Sequence, residues 1–340
     1  MILAAGLGTR LKPYTDLRTK AFLPMLGVPM AQFALDAANE AGMKKCVINI
    51  HHRAEETREC ISHLDSGSVE IAMSDETPLL LGSGGGLAAG ALHFERRPFL
   101  VLNADVLCDI DLAALERTHH RLRATHGSLI TLALLSRPPQ PYFQTGGTPQ
   151  KYREVQFNPN SQLIEGLGEM ATDRPFFVGA AIIEPEALAG IPPGTAADFV
   201  PSILMPAIRA GKATAHLASG LWFDIGSPQL WLEAHLCVIE LLETGRGLPP
   251  RWRKRIESVS QRLTAKIWTE SSRTSAAQSQ VEWVGPAYWS SLGDSTAIAP
   301  QVLGPNAMVY GALASELSVS TSGLAYRGVW TEVVANSSKA

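Results

Sequence analysis

Cysteine, net charge and long apolar runs are what this 340-residue chain has little of. Its four cysteines, Cys46, Cys60, Cys108 and Cys237, are far apart and form no C-x-x-C pair. They read as reduced, buried thiols, and a chain of this length needs no disulfides for stability. Twenty-nine Lys and Arg against 32 Asp and Glu give a net charge of −3. No global field therefore draws nucleic acid or an anionic membrane, and any anion must be bound locally. No window reaches the ~18 uninterrupted apolar residues of a membrane helix. The opening MILAAGLGTR has too short an apolar stretch and no basic start for a signal peptide. A soluble, cytoplasmic protein is expected, without membrane or nucleic-acid partners.

What is present is a large core. The chain is 46% hydrophobic and only 18% charged, and such a length can bury roughly 75% of the surface exposed when unfolded. Short apolar runs at residues 2–5, 46–50, 69–73, 98–103 and 128–135 read as strands, several of them covered on both faces. Stretches of helical period lie between them, at 30–41, 54–64, 87–92 and 112–124. This alternation predicts an α/β fold: a Rossmann-like, mixed and mostly parallel sheet flanked by helices. Farther on, 154–157 and 162–167 flank the turn Asn158-Pro159-Asn160 as a hairpin, and 176–183 and 220–225 read as strands. Residues 199–210 and 229–242 read as helices, and 137–150 as a loop or small flap.

Three units are expected. Residues 1–245 form the main domain. Residues 246–279 form a basic helical linker, because seven basic residues face Glu257 alone between 246 and 266. Trp252, Ile256, Val259 and Leu263 fall at helical spacing there, which favours a docked helix with a solvated basic face over nucleic-acid binding. Residues 280–340 carry two hexads, 303–308 and 309–314, which suit a short left-handed parallel β-helix; a generic β-rich tail is the alternative. The tail is also where a homo-oligomer would form.

The most informative segment is Leu3-Ala4-Ala5-Gly6-Leu7-Gly8-Thr9-Arg10, a strand running into a glycine loop with a hydroxyl and a guanidinium. Glycines let backbone N–H groups approach a phosphate, and Arg10 can neutralise it. Two common phosphate signatures are missing. Leu11 stands where the dinucleotide fingerprint needs its third glycine, and no G-K-[ST] occurs, Gly211-Lys212 being followed by Ala213. Asp105 and Asp224 each end an apolar run. This places them at the carboxyl edge of the sheet, where two carboxylates can hold Mg²⁺.

The continuation from Gly8-Thr9-Arg10 through Pro13, Thr15, Lys20, Leu23-Pro24 and Gly27 resembles the signature of sugar-1-phosphate nucleotidyltransferases. Leu81-Gly82-Ser83-Gly84-Gly85-Gly86-Leu87 is similar to the family's nucleobase turn, Asn103-Ala104-Asp105 to its N-G-D, and Trp222-Phe223-Asp224-Ile225-Gly226-Ser227-Pro228 to its W-x-D-[IV]-G-[ST]-P. The resemblance implies attack of a sugar phosphate on the α-phosphorus of a nucleoside triphosphate, with loss of pyrophosphate. Leu3, Ala5, Gly6, Gly8, Thr9, Arg10, Lys20, Gly84 and Gly85 would hold the nucleotide, and Asn103, Gly179 and Glu165 the sugar. Asp105 and Asp224 would bind Mg²⁺, and Arg10, Lys20 and Asp105 would carry catalysis.

The chain departs from that pattern in places. Thr19 replaces the proline before the lysine, which predicts a looser placement of Lys20. Ala104 replaces a glycine. The sugar-phosphate lysine that often follows the hairpin is missing from 163–169, with Lys151 or Arg153 as substitutes. The triple glycine at 84–86 is closest to N-acetylmuramate-1-phosphate uridylyltransferases and the tail to mannose-1-phosphate guanylyltransferases, so base and sugar stay open. A noncatalytic NDP-sugar-binding regulator is the alternative function.

Overall fold

The computed structural model describes residues 1–262 except 13, 17, 78, 96, 137–150 and 246, together with short strands between 266 and 335. The expected flap at 137–150 lies outside the described residues. Nine strands build one sheet: β1 (Ile2–Leu3), β2 (Lys45–Ile50), β3 (Glu70–Asp75), β4 (Phe99–Asn103), β5 (Ile130–Leu135), β6 (Tyr152–Phe157), β7 (Ile164–Ala171), β8 (Phe176–Ile183) and β9 (Ala213–Leu217). The main layer runs β3-β2-β1-β4-β8-β5-β9, and within it only β8 runs against the others. The β6–β7 hairpin joins the same edge of β8 beyond the end of β4, through Phe176 opposite Glu154. After β3 the chain returns past β1 to form β4, so a crevice opens at the carboxyl ends of β1 and β4.

Alternate residues feed the two faces. Ile48, Leu102, Ala133 and Ile182 pack on one side, and Val47, Val101, Leu132 and Ala181 on the other. Helices α1 (Met30–Glu40), α2 (Ala54–Ser62), α3 (Gly82–Ala91), α4 (Leu112–His126) and α5 (Met205–Arg209) cover these faces. The sequence expectation for 87–92 is corrected here, because α3 begins at Gly82. Glycine is a poor helix former, but this run lies against the backbone of 195–198. A Cβ on Gly85 would stand 2.2 Å from the Thr195 carbonyl oxygen.

A third apolar cluster docks the last two helices of the main body, α6 (Pro228–Thr244) and α7 (Pro250–Arg262), onto the segment after the glycine loop. Trp252 and Ile256 are fully buried, and Trp252 meets Phe33 edge-on at 5.8 Å. Two of the arginines of α7 are paired rather than solvated, while Lys254 is exposed. Arg255 grips Asp36 through two nitrogens at 2.6 and 2.8 Å and reaches Asp65 at 2.9 Å, while Arg251 pairs with Glu40 and Asp109. The helical linker is thus part of the main body as far as 262.

The tail differs from the β-helix expectation. Residues 298–306 lie outside the described residues, and the strands beyond them pair antiparallel, Ala307–Tyr310 with Glu332–Ala335 and Leu313–Ser320 with Gly323–Val329. The register sets Leu317 opposite Tyr326 and Val319 opposite Leu324. This period-two pairing suits a hairpin, whereas a hexad coil needs parallel neighbours. Among the described residues no helix is long and apolar enough to cross a membrane.

A two-residue turn at Leu26-Gly27 joins the bridges Pro24–Pro29 and Met25–Val28, with φ of 49° and 81° as a type I′ turn requires. A left-handed leucine costs about 1–2 kcal/mol, and α6 holds it in place. Leu26 N–H donates to His235 Nε2 at 3.2 Å, and Trp231 Nε1 donates to the Pro24 carbonyl at 3.0 Å. His235 is therefore neutral, with its Nδ1 proton directed to the Trp231 carbonyl at 2.8 Å. Complete burial lowers its pKa from 6.5 to about 4.

The unfolded state then binds the extra proton first. Stability is full above about pH 6.5 and falls as pH drops towards 4, by up to about 3 kcal/mol from this residue. Thermal unfolding followed from pH 7.5 to 4.5 should show this loss, and His235→Gln should flatten the slope. An unchanged slope in the variant would assign the loss elsewhere.

Candidate active site

The glycine loop leaves β1 at the crevice. Gly6, Leu7, Thr9 and Arg10 are exposed, and nothing lies within 4 Å of where a Gly6 Cβ would be. Gly8 has φ of 63°, and a Cβ there would strike the Thr15 side chain at 2.8 Å. Glycine is thus needed for both conformation and space. Thr15, fully buried, ties the loop down by donating to the Gly8 carbonyl at 3.0 Å.

Lys20 reaches the same place from the next turn. Its ammonium donates to Asp105 Oδ2 at 2.7 Å, with the lysine side chain 11% exposed and the aspartate 41%. The looseness expected from Thr19 is not found. Thr19 is buried and already has the φ of a proline, −61°, and its hydroxyl lies 3.4 Å from Thr57 Oγ1. Ala104, in the place of the family's glycine, uses its N–H for the Leu3 carbonyl at 3.1 Å.

A short antiparallel ribbon, Val106–Asp109 with Leu221–Asp224, brings the second acid alongside. Asp224 stands opposite Val106, and Ile225 N–H donates to the Asp105 carbonyl at 3.2 Å. Burial first, and the Asp105 charge second, raise the Asp224 pKa; Lys20, the Gly226 N–H and Arg10 pull it back. A Cβ on Gly226 would lie 2.7 Å from Asp224 Oδ1 and 3.0 Å from Arg10 Nη2. The missing side chain therefore lets the guanidinium and the carboxylate lie side by side. Arg10, Lys20, Asp105 and Asp224 are all gathered at one edge.

Asp105 and Asp224 repel each other and offer an all-oxygen donor set, with Lys20 and Arg10 as the cations beside them. This fits a divalent cation that completes its shell with water and phosphate, as Mg²⁺ does. No third acid, histidine or cysteine joins them among the described residues.

Leu3 pairs with Asn103, and Gly179 lies against Asn103, where a Cβ would come within 3.1 Å. The φ of 85° at Gly179 coincides with a register slip between β8 and β5. Ala5 is buried behind the loop. Gly84 and Gly85 are buried, and both of their N–H groups serve the Ala197 carbonyl, at 2.8 and 3.0 Å.

Glu165 is not brought to the acids. It stands beside the hairpin tip, where Leu163 bridges Thr214 of β9, while the acids meet the opposite end through Tyr152. Five residues at ~3.3 Å each separate the two ends of β6, about 17 Å. Arg153 is held on its own hairpin, donating to the Gly168 carbonyl at 3.1 Å, and Lys151 is exposed.

Sequence reasoning missed Tyr152, Asn49 and Glu76. Tyr152 stacks on Phe176 at 4.9 Å, meets Trp222 edge-on at 5.0 Å and has its hydroxyl 3.4 Å from Asp224 Oδ2. Burial and the Asp224 charge push its pKa up. Asn49, in the apolar strand KCVINI, and Glu76, just after β3, are buried and hydrogen-bonded to each other at 2.7 Å. A lone polar residue inside an apolar strand is the signal that could have found Asn49.

Residues 1–143 match the family described as Nucleotidyl transferase. The chain is 31% identical over 227 residues to the N-acetylmuramate alpha-1-phosphate uridylyltransferase of Neisseria meningitidis serogroup B, covering 67% of this chain and 92% of that protein. It is 25% identical over 332 residues to the UTP–glucose-1-phosphate uridylyltransferase of a Synechocystis species, 91% of this chain and 79% of that one. Identity to the mannose-1-phosphate guanylyltransferase catalytic subunit beta of Drosophila pseudoobscura is 27% over 241 residues, 68% of this chain and 60% of that one. Among solved structures, HddC from Yersinia pseudotuberculosis superposes with a TM-score of 0.54 at 18% identity, over 69% of this chain and 96% of that one. A UDP-glucose pyrophosphorylase complexed with UDP-glucose gives 0.54 and 18%, over 70% and 97%. At that identity the likeness concerns the fold.

Two outcomes test this geometry. Asp224→Asn should weaken Mn²⁺ binding, read by electron paramagnetic resonance, by at least about tenfold, the smallest loss expected even for a residue that only supports a ligand. Gly85→Ala should lower stability by about 1–3 kcal/mol through overpacking, despite its better helix propensity. A higher Tm for that variant would refute the packing role of the glycine.

Proposed function

The chain belongs to the sugar-1-phosphate nucleotidyltransferase family, and on that premise we propose that it joins a nucleoside triphosphate to a sugar 1-phosphate. The products are an NDP-sugar, for cell-envelope or polysaccharide synthesis, and pyrophosphate. The observation that carries this reading is the meeting of Arg10, Lys20, Asp105 and Asp224 beside an exposed glycine loop. A phosphate oxygen of the sugar attacks the α-phosphorus, a P–O bond forms, and the bond to the β-phosphate oxygen breaks as pyrophosphate leaves.

Little covalent work falls to the protein in such a transfer, so positioning and charge do most of it. The exposed backbone of residues 6–10 would receive the triphosphate, with Arg10 forking onto its oxygens. Lys20, already desolvated, would turn from Asp105 towards the transferring phosphate. Asp105 and Asp224 would hold Mg²⁺, which when bound supplies positive charge to the phosphate oxygens. Asn103 and Gly179 line the adjoining end of β4, which suits a sugar subsite; Glu165 does not share it. A reaction fed by nucleoside triphosphates suits the cytoplasm. UTP is the first nucleotide to test, since two of the relatives above are uridylyltransferases.

Purified protein with Mg²⁺ should release pyrophosphate from at least one pairing in a panel of nucleoside triphosphates and aldose 1-phosphates, and Asp105→Ala should abolish it. Tight NDP-sugar binding without turnover across the whole panel would replace the enzyme by a regulator.

A further inference from the structure

Asn49 and Glu76 are 3% and 2% exposed, at the carboxyl ends of β2 and β3. Asn49 Oδ1 accepts the Ala4 N–H at 2.6 Å, Asn49 Nδ2 donates to Glu76 Oε1 at 2.7 Å, and Glu76 Oε2 accepts the Leu81 N–H at 3.0 Å. Ala4 begins the glycine loop, and Leu81 precedes the glycine run of α3. The relay therefore ties the two backbone segments that the nucleotide reading assigns to phosphate and base. Among the described residues no lysine or arginine pairs with Glu76. A buried carboxylate with only amide donors is costly. Gly86 makes room for it, since a Cβ there would stand 2.7 Å from Glu76 Oε1 and 3.0 Å from Asn49 Nδ2.

We propose that Asn49 and Glu76 form a positioning pair that fixes the glycine loop relative to the glycine run, and so sets productive binding of the nucleoside triphosphate. This role rests on the nucleotidyltransferase reading. The pair has a defined polarity. Both ends of the relay are backbone donors, so each side chain must present an acceptor outward, and a single N–H must lie between them. Glu76→Gln sets an amide NH₂ against that of Asn49, and Asn49→Asp sets oxygen against oxygen. The double change N49D/E76Q restores every bond with the middle link reversed. The new aspartate accepts from Ala4 and from the new glutamine, whose oxygen accepts from Leu81.

The test is steady-state kinetics of pyrophosphate release by the wild type, both single variants and the double variant, well below the Tm of each, with each substrate varied in turn. A displacement of about 1 Å should cost each single variant about 100-fold in kcat/KM for the nucleotide. The KM for the sugar phosphate should stay within about threefold, and the double variant should return to within about tenfold of wild type. If a single variant does not fold, Gly86→Ala, which presses on the same two side chains, takes its place with the same expected loss. The proposal is overturned by single variants that lower only Tm, by equal losses for both substrates, or by a double variant no better than the worse single. A wild-type chain silent with every substrate pair overturns the reaction itself and this role with it, and the wild-type measurement alone identifies that case.

Discussion

Lys20 and Asp105 are 85 residues apart in sequence and 2.7 Å apart in space. Asp105 follows β4 by two residues and Asp224 ends the ribbon beside it, so the sheet edge concentrates negative charge in a half-buried place where water screens it poorly. The ammonium offsets that charge only if it is delivered at the right height. Its delivery depends on Thr15 beneath Gly8, on the proline-like backbone of Thr19, and on the I′ turn that α6 clamps through Trp231 and His235. Much of the amino-terminal segment and of α6 thus serves one ion pair, and α6 is itself a continuation of the strand that ends in Asp224.

The glycines of this chain divide the labour differently from what their motif suggests. Gly6 leaves the loop open to a ligand, and Gly8 lets it turn closely over Thr15. Gly84, Gly85 and Gly86 instead permit backbone and buried side chains to approach α3, from 195–198 on one side and from Glu76 and Asn49 on the other. Similar composition in the two runs therefore serves an exposed turn in one and a buried helix in the other. A contact with the base from the second run has to use groups other than the Gly84 and Gly85 amides.

Most of the sheet was legible because its strands are apolar on both faces, and Asp105 and Asp224 were legible because each closes such a run. The start of α3 was not, since five residues of poor helix former read as a turn until their packing partner, distant in sequence, is known. Glu165 was misplaced because a motif position says nothing of how far a hairpin carries its tip. The ribbon strand at 106–109 is four residues long, too short for periodicity to reveal. Asn49 and Glu76 act through long-range bonds to backbone donors, which leave no spacing rule in the sequence. In the tail, two hexads and a period-two alternation compete, and the strands follow the alternation.

The docking of α7 has a practical meaning for modular exchange within this family. Composition changes at residue 246, but Trp252 and Ile256 complete the cluster built on Phe33 and Trp231, and Arg251 and Arg255 neutralise acids of α1 and its surroundings. A chimera that swaps tails at the compositional boundary would strip the back of the lysine-bearing segment and leave Asp36, Glu40 and Asp109 without their arginine counter-ions. A splice that keeps α7 intact has to lie beyond Arg262.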